Sequence, residues 1–378
     1  MSQRIRVGVL FGGRSGEHEV SLASAESILR YIDQAKYEIV PIGITREGRW
    51  LASGDPLAAL KYGGAHGSVA SGHGGERVLP AALLPDPVHG GLVTWSEGEA
   101  SSELRELVSV DVVFPVLHGT FGEDGTIQGL LEIAGLPYVG AGVLGSSLGM
   151  DKGKMKWQFR ARGLPLADFM EIRRSRFERD PEPVLAEIEQ TLGLPAFIKP
   201  ARLGSSVGVS KARTRSELRD ALTLAAEFDD RLIAEQNINA RELECSVLGN
   251  EEPIASVVGE IIPAREFYDY EAKYLDEGSK LVIPAEISNG ISDEIRAMAI
   301  EAFDAVDCAG MARVDFFLER DTNRVLLNEI NTIPGFTNIS MYPKLWEASG
   351  LSYGDLIDRL IQLAIERHAD RARNRVNR

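Results

Sequence analysis

Cysteine is almost absent. Cys245 and Cys308 are the only two in 378 residues, too few and too far apart for a disulfide framework or a Cys-rich zinc site. Two thiols in a chain of this size suit a reducing compartment. Basic charge is short as well, with 41 Lys and Arg against 56 Asp and Glu and a formal net charge of −15. Neutralising nucleic-acid phosphates needs clustered cations, so nucleic-acid binding is not expected. No window reaches the ~18 apolar residues of a membrane span. The start, Met-Ser-Gln-Arg-Ile-Arg, runs into a strand-like Val7-Gly8-Val9-Leu10 with no signal-peptide core. The protein is therefore expected to be cytoplasmic and away from membranes. A Gly-x4-Gly-Lys-Ser/Thr motif is missing too, which disfavours a Walker-type ATPase.

What is present centres on residues 311–340. Runs with strand period at 312–318 and 325–330 flank a polar turn, Arg320-Asp321-Thr322-Asn323, and predict an antiparallel hairpin. Alternation puts Arg313 and Asp315 on one face of the first strand, and Glu329 and Asn331 on one face of the second. Asp315 then falls nearly opposite Glu329. Facing carboxylates repel, so the pair, joined by an amide oxygen and an Arg, calls for a cation between them. Few ligands, all oxygen, suit Mg²⁺ held with a polyphosphate better than caged Ca²⁺ or zinc. The alternative is a solvated hairpin face. Pro334-Gly335 breaks the second strand, and a polar loop to Ser340 follows, where a substrate has room.

At 378 residues, ~100–200 per domain suggests two or three domains. A buried strand at 5–11, a Gly12-Gly13 turn and a helix to about Tyr31 leave Glu17 near a helix start. There it suits a ligand's ammonium, or serves only as a helix-dipole partner. A strand at 39–44 precedes the Gly-rich stretch 63–75, which reads as a surface loop whose His66 and His73 make no metal pair. The apolar run 110–117 predicts a central parallel strand. It empties into His118-Gly119 and Gly122-Glu123-Asp124-Gly125 before a helix at 126–134, which makes His118 a site candidate. Residues 140–145 match a dinucleotide fingerprint, but the strand before them is short and no acidic partner follows.

From Met150-Asp151-Lys152 a helix is expected to about Arg162. Strands at 166–172, 194–199 and 231–236 then alternate with helices at 183–191 and 216–227. Lys199, followed by Gly204-Ser205-Ser206, suits a flexible loop that donates backbone N–H groups to a triphosphate, with Lys152 adding charge. A plain turn between strands is the alternative. Further strands are expected at 243–248, 254–261 and 280–283, helices at 292–306 and 353–368, an ordered loop at 267–274 that closes over something, and a frayed basic tail at 371–378.

Together, Asp315, Glu329 and Asn331, Lys199 with its Gly-Ser-Ser loop, and the Glu235–Ile238 hinge resemble the ATP-grasp superfamily. Glu17-His18-Glu19-Val20-Ser21, Leu117-His118-Gly119, Met150-Asp151-Lys152, Tyr268-Asp269-Tyr270-Glu271-Ala272-Lys273-Tyr274 and Asn328-Glu329-Ile330-Asn331-Thr332 narrow this. In that order, over nearly the whole chain, they resemble the D-alanine–D-alanine ligases. Two departures are the long Gly-rich segment 63–102 and Ala201 to Leu203 in place of a more polar Ser-Arg-Glu. Both bear on loop dynamics.

The resemblance implies an α/β and α+β ATP-grasp fold. Residues 1–140 would form an N-terminal parallel-sheet α/β substrate-binding domain, 141–235 a small central α+β subdomain with the phosphate-covering loop, and 236–378 a C-terminal mixed-sheet subdomain with the metal site and lid. It further implies ATP between the last two, with Lys152, Lys199, Lys273, Ser205 and Ser206 at the phosphates. Glu235, Ile238 and Phe267 would surround adenine, and Glu242 would meet the ribose. Two Mg²⁺ ions, with Mn²⁺ a possible substitute, would sit on Asp315, Glu329 and Asn331. Glu17 and His118 would serve the first D-alanine, Ser340 and Met341 the second, and Arg313 with the Gly335 N–H the tetrahedral oxyanion. Glu17, Ser205 and Tyr274 would close the lid. A homodimer is implied. The rivals are a D-alanine–D-lactate ligase, a non-catalytic nucleotide-binding module and, more distantly, a dehydrogenase on 140–145.

Overall fold

The computed structural model describes residues 4–62, 77–88, 91–96, 103–263 and 280–375. Phe267, Lys273 and Tyr274, and the stretch 63–75 with His66 and His73, lie outside the described residues. The first sheet contains β1 (Ile5–Gly12), β2 (Tyr37–Ile44), β3 (Trp50–Ala52), β4 (Leu79–Leu83), β5 (Leu92–Ser96), β6 (Glu103–Val108) and β7 (Val112–Val116). Their order is β6-β5-β4-β3-β2-β1-β7. Only β2, β1 and β7 run parallel, and β3 to β6 extend the sheet antiparallel from β2. That extension was not legible, because β3 has three residues and β4 reads Leu-Pro-Ala-Ala-Leu, with weak strand propensity.

The expectation of a central strand at 110–117 needs correcting, since β7 ends the sheet. Its apolar run has another cause: both faces are covered. Val112, Phe114 and Val116 pack with Leu22 and Ile28 of α1 (His18–Tyr31). Val113 and Leu117 pack with Ile127 and Leu131 of α3 (Thr126–Ile133). α2 (Pro56–Tyr62) lies beside β2. Residues 140–145 follow a single bridge at Tyr138 and start α4 (Val143–Met150), so they open no strand–turn–helix unit.

The helix expected from Met150 to about Arg162 forms as α5 (Lys152–Ala161), and α4, which the sequence did not signal, ends just before it. Asp151 ends α4 and caps α5, its Oδ1 accepting from Lys154 N at 3.1 Å. The second sheet, β10-β9-β11-β8, contains β8 (Phe169–Arg173), β9 (Ala196–Pro200), β10 (Ser210–Ala212) and β11 (Arg231–Gln236). With α6 (Arg174–Arg179), α7 (Pro181–Thr191) and α8 (Arg215–Phe228) it encloses a core of its own, built on Leu185, Ile188, Ile198 and Leu222.

The third sheet, β14-β13-β12-β15-β16, contains β12 (Ala240–Gly249), β13 (Ile254–Ile262), β14 (Lys280–Val282), β15 (Gly310–Glu319) and β16 (Val325–Asn331). Met155 and Phe159 of α5 pack into its core with Phe303 of α9 (Asn289–Ala305) and Val314. α10 (Met341–Ala348), which the sequence did not signal, sets Met341 and Leu345 against Ile261. The last helix, α11 (Tyr353–Arg371), returns to the first sheet, where Leu356 and Leu360 pack with Val9 and Phe114. Phe336 and Tyr342 join that same cluster. The first and third sheets are thus welded through residues 336–364, while the second sheet has a separate core.

Candidate active site

The hairpin forms as its alternation predicts. Asp315 faces Glu329 and Arg313 faces Asn331 in register. Strand β12 adds Glu244 opposite Asp315, so carboxylates of three neighbouring strands stand at one level. Arg313 relieves their repulsion. Its Nε and Nη2 each donate to Asp315 at 2.7 Å, and Nε lies 3.1 Å from Glu244 Oε2. Burial opposes the guanidinium charge, but Asp315, Glu244 and Glu329 outweigh it and raise the pKa further.

Among the described residues no three His, Cys, Asp or Glu groups converge to hold a metal by themselves. The candidate donors are two carboxylates and an amide on facing strands, an all-oxygen set that fits a hard divalent ion taking its remaining ligands from a polyphosphate.

Behind the hairpin lies a second charge cluster. Lys199 Nζ donates to Glu235 Oε2 at 2.6 Å, and Lys156 Nζ lies 3.3 Å from Glu235 Oε1. Lys156 also donates to the Asn328 carbonyl at 2.8 Å, tying β11 to the residue before Glu329. Burial raises the Glu235 carboxyl, yet Lys156 and Lys199 hold it at about 2. Burial lowers Lys156, while at Lys199 the charges of Glu235, Glu329 and Glu242 overcome burial and raise it.

The 201–209 loop folds back over α5. Lys152 N donates to Ala201 O at 2.9 Å and Lys152 Nζ to Leu203 O at 2.7 Å. Ser205 and Ser206 sit in left-handed backbone with φ of 49° and 58°, a strained geometry for non-glycine residues. That bend brings Ser205 Oγ to donate to Glu17 Oε1. A Cβ on Gly204 would lie 2.9 Å from Glu17 Oε2, and one on Gly119 only 2.5 Å, so a side chain at either would displace the Glu17 carboxylate, and at Gly119 a φ of 74° disfavours one in any case.

Glu17 and His118 stand on the N-terminal side. His118 is buried with both ring nitrogens engaged, Nδ1 at 3.0 Å from Ile333 O and Nε2 at 3.2 Å from Ser24 Oγ. Burial lowers its pKa against the pull of Glu17 and the Ile333 carbonyl. Glu123 accepts from Gly119 N at 2.6 Å and Ile333 N at 3.2 Å. Burial, then the charge of Glu17, push its carboxyl up to about 8.

One cavity of about 870 Å³ joins these parts. Glu17, His118, Lys152 and Ser205 line one side, and Arg313, Glu329 and Asn331 another. Gly335, Ser340 and Met341 line its end, where Ser340 Oγ accepts from Thr337 N at 3.1 Å. Asp315 turns to Arg313, and Lys199 and Glu235 are not among the lining residues of this cavity. Ile238 lies in the link from β11 to β12, and Glu242, on β12, pairs with Phe317 of β15. Three residues were missed. Lys156 stands one helical turn after Lys152, Glu123 sits within the Gly-rich loop that follows His118, and Glu244 shares a strand face with Glu242.

The family model described as D-ala D-ala ligase N-terminus matches residues 6–141, and that described as D-ala D-ala ligase C-terminus matches 157–362. A D-alanine–D-alanine ligase of Natranaerobius thermophilus is 50% identical, covering 98% of each chain. That of Acetivibrio thermocellus is 49% identical, with 98% of each covered. Among solved structures, the D-alanine-D-alanine ligase from Coxiella burnetii superposes with a TM-score of 0.80 at 39% identity, covering 98% of this chain and 97% of that one. The VanG D-Ala:D-Ser ligase from Enterococcus faecalis gives 0.82 at 36%, covering 96% and 100%. With both halves matched and identity near one half sustained from end to end, the chain belongs to the D-alanine–D-alanine ligase family.

Proposed function

We propose that the 870 Å³ cavity takes ATP and two D-alanine molecules and is where they are joined. The chain is an ATP-dependent D-alanine–D-alanine ligase of peptidoglycan precursor synthesis. The observation that carries the site is that Glu17, Ser205, Arg313 and Glu329, drawn from the start of α1, the 201–209 loop and the hairpin, line a single cavity.

Lys152, Lys199 and Lys273, with Ser205 and Ser206, hold the phosphates. The backbone near Glu235 and Ile238 and the ring of Phe267 hold adenine, and Glu242 the ribose. Asp315, Glu329 and Asn331 hold two Mg²⁺ ions, for which Mn²⁺ substitutes, and bound metal neutralises charge on the transferring phosphoryl group. Glu17 anchors the first ammonium, with His118 beside it. The carboxylate of that D-alanine takes the γ-phosphoryl group of ATP to give an acyl phosphate. The amine of the second D-alanine, whose carboxylate meets Ser340 beside Met341, attacks the acyl carbon, and phosphate leaves. Arg313 and the Gly335 N–H bear the charge on the tetrahedral oxyanion. The Glu17, Ser205 and Tyr274 set closes the lid against water, which would hydrolyse the acyl phosphate. We place the enzyme in the cytoplasm as a homodimer.

The test is phosphate release from ATP that depends on D-alanine and disappears in Glu329→Gln, a substitution that removes charge and keeps shape. A folded Glu329→Gln protein turning over at the wild-type rate would contradict the metal assignment.

A further inference from the structure

The turn that carries Gly335 is held from the N-terminal side by a closed ring of hydrogen bonds. A carbonyl only accepts, so His118 Nδ1 must be the protonated nitrogen that donates to Ile333 O at 3.0 Å. Neutral and buried, the ring then presents Nε2 as an acceptor, and Ser24 Oγ, 3.2 Å away, is its donor. Ser24 Oγ in turn accepts from Phe336 N at 3.2 Å. The order of donors is forced: Phe336 N–H to Ser24, Ser24 O–H to His118, His118 N–H to Ile333. The ring begins and ends on one four-residue segment.

Those contacts fix two peptide planes, the one holding the Ile333 carbonyl and the one holding the Phe336 N–H. The plane between them bears the Gly335 N–H, and Pro334 limits its rotation by fixing φ. Glu123 adds its bond to Ile333 N at 3.2 Å, and Phe336 is seated in the core, 5.7 Å from Phe114 between ring centroids. Ser24 itself is fully buried on α1 and is absent from the cavity lining. It touches no reacting atom.

We propose that Ser24 is a positioning residue for dipeptide formation: through His118 and Phe336 N it fixes the plane that aims the Gly335 N–H at the oxyanion formed when the acyl carbon is attacked. This rests on the ligase reading above. Without Ser24 the plane relaxes, attack by the second amine slows, and water takes its place on the acyl phosphate, returning D-alanine and phosphate. Removing one oxyanion donor outright costs ~10²–10³ in rate, so misaiming it is expected to cost about tenfold.

The experiment compares Ser24→Ala with wild type, measuring phosphate and dipeptide in the same reaction. Expected are a dipeptide kcat lower by about tenfold, a KM for ATP within about twofold, and a dipeptide-to-phosphate ratio below about one half. In a double-mutant cycle, Ser24→Ala is expected to add almost nothing to His118→Asn, since either change opens the same ring. If Ser24→Ala fails to fold, Ser24→Cys, similar in volume but weak as donor and acceptor, carries the same comparison with an intermediate loss. A ratio that stays near one, an ATP KM that rises in step with the loss of kcat, or full additivity with His118→Asn would overturn the proposal. Failure of the ligase reading is separately visible, because wild type would then release no D-alanine-dependent phosphate.

Discussion

Ser205 Oγ donates a hydrogen bond to the Glu17 carboxylate across 188 residues of sequence, joining the 201–209 loop to the start of α1. The second sheet has its own core, and this contact helps to hold its loop against the first sheet. Ser205→Ala leaves Glu17 in place and removes the fixing. Loss of one charge-assisted hydrogen bond, about 1.5–3 kcal/mol, is expected to lower kcat/KM for D-alanine by about tenfold or more, with a stronger leak of phosphate without dipeptide. Steady-state kinetics with both products followed check this. Unchanged coupling would show that the loop closes without Ser205.

Lys199→Ala is expected to weaken ATP binding far more than D-alanine binding. The substitution removes the charge proposed to meet the phosphates and leaves Glu235 with Lys156, 3.3 Å away. Stability should fall too, because breaking one partner of a buried pair leaves charge uncompensated. Calorimetry of nucleotide and D-alanine binding separates the two affinities, and an unchanged nucleotide affinity would count against the phosphate role.

The hairpin of β15 and β16 was legible because its information is local. Alternation and the polar turn at 320–323 suffice to put Asp315 across from Glu329, and the register agrees. Lys156 was not, since its partner carbonyl at Asn328 lies 172 residues away. Glu123 likewise meets Ile333 N across 210 residues. The end position of β7 was hidden for a related reason: two-sided burial by α1 and α3 writes the same apolar run as a central strand. Short elements such as β3 and α10 leave too few residues to show a period.

Two buried carboxyls predict opposite pH windows. Glu235 is held at about 2, below its ordinary 4.5. The unfolded chain therefore binds the extra proton between those values, and the stability Glu235 contributes is present above 4.5 and lost as pH falls toward 2. Glu123 is pushed from 4.5 up to about 8. Here the folded state holds the proton, so its contribution is full below 4.5 and is lost as pH rises through 8. Thermal unfolding of Glu123→Gln against wild type should show a Tm difference that shifts in favour of the variant between pH 5 and about 8. A pH-independent difference would contradict the assignment.

On the proposed reading the acceptor meets one end of the cavity, where Ile261, Leu281 and Met341 present apolar surface, and the sequence carries a tyrosine, Tyr274, where the resemblance implies a lid residue. With an ordinary pKa of ~10, tyrosine brings no positive charge to favour an anionic D-lactate over D-alanine. The apolar part of that surface favours a methyl group over a serine hydroxyl, although such pockets reject an added hydroxyl by only ~10²-fold. The most direct measurement is chromatography of the products formed from ATP and equal concentrations of D-alanine, D-lactate and D-serine at pH 7. D-alanyl-D-alanine as the main product is the predicted result, and D-alanyl-D-lactate or D-alanyl-D-serine as the main product would contradict it.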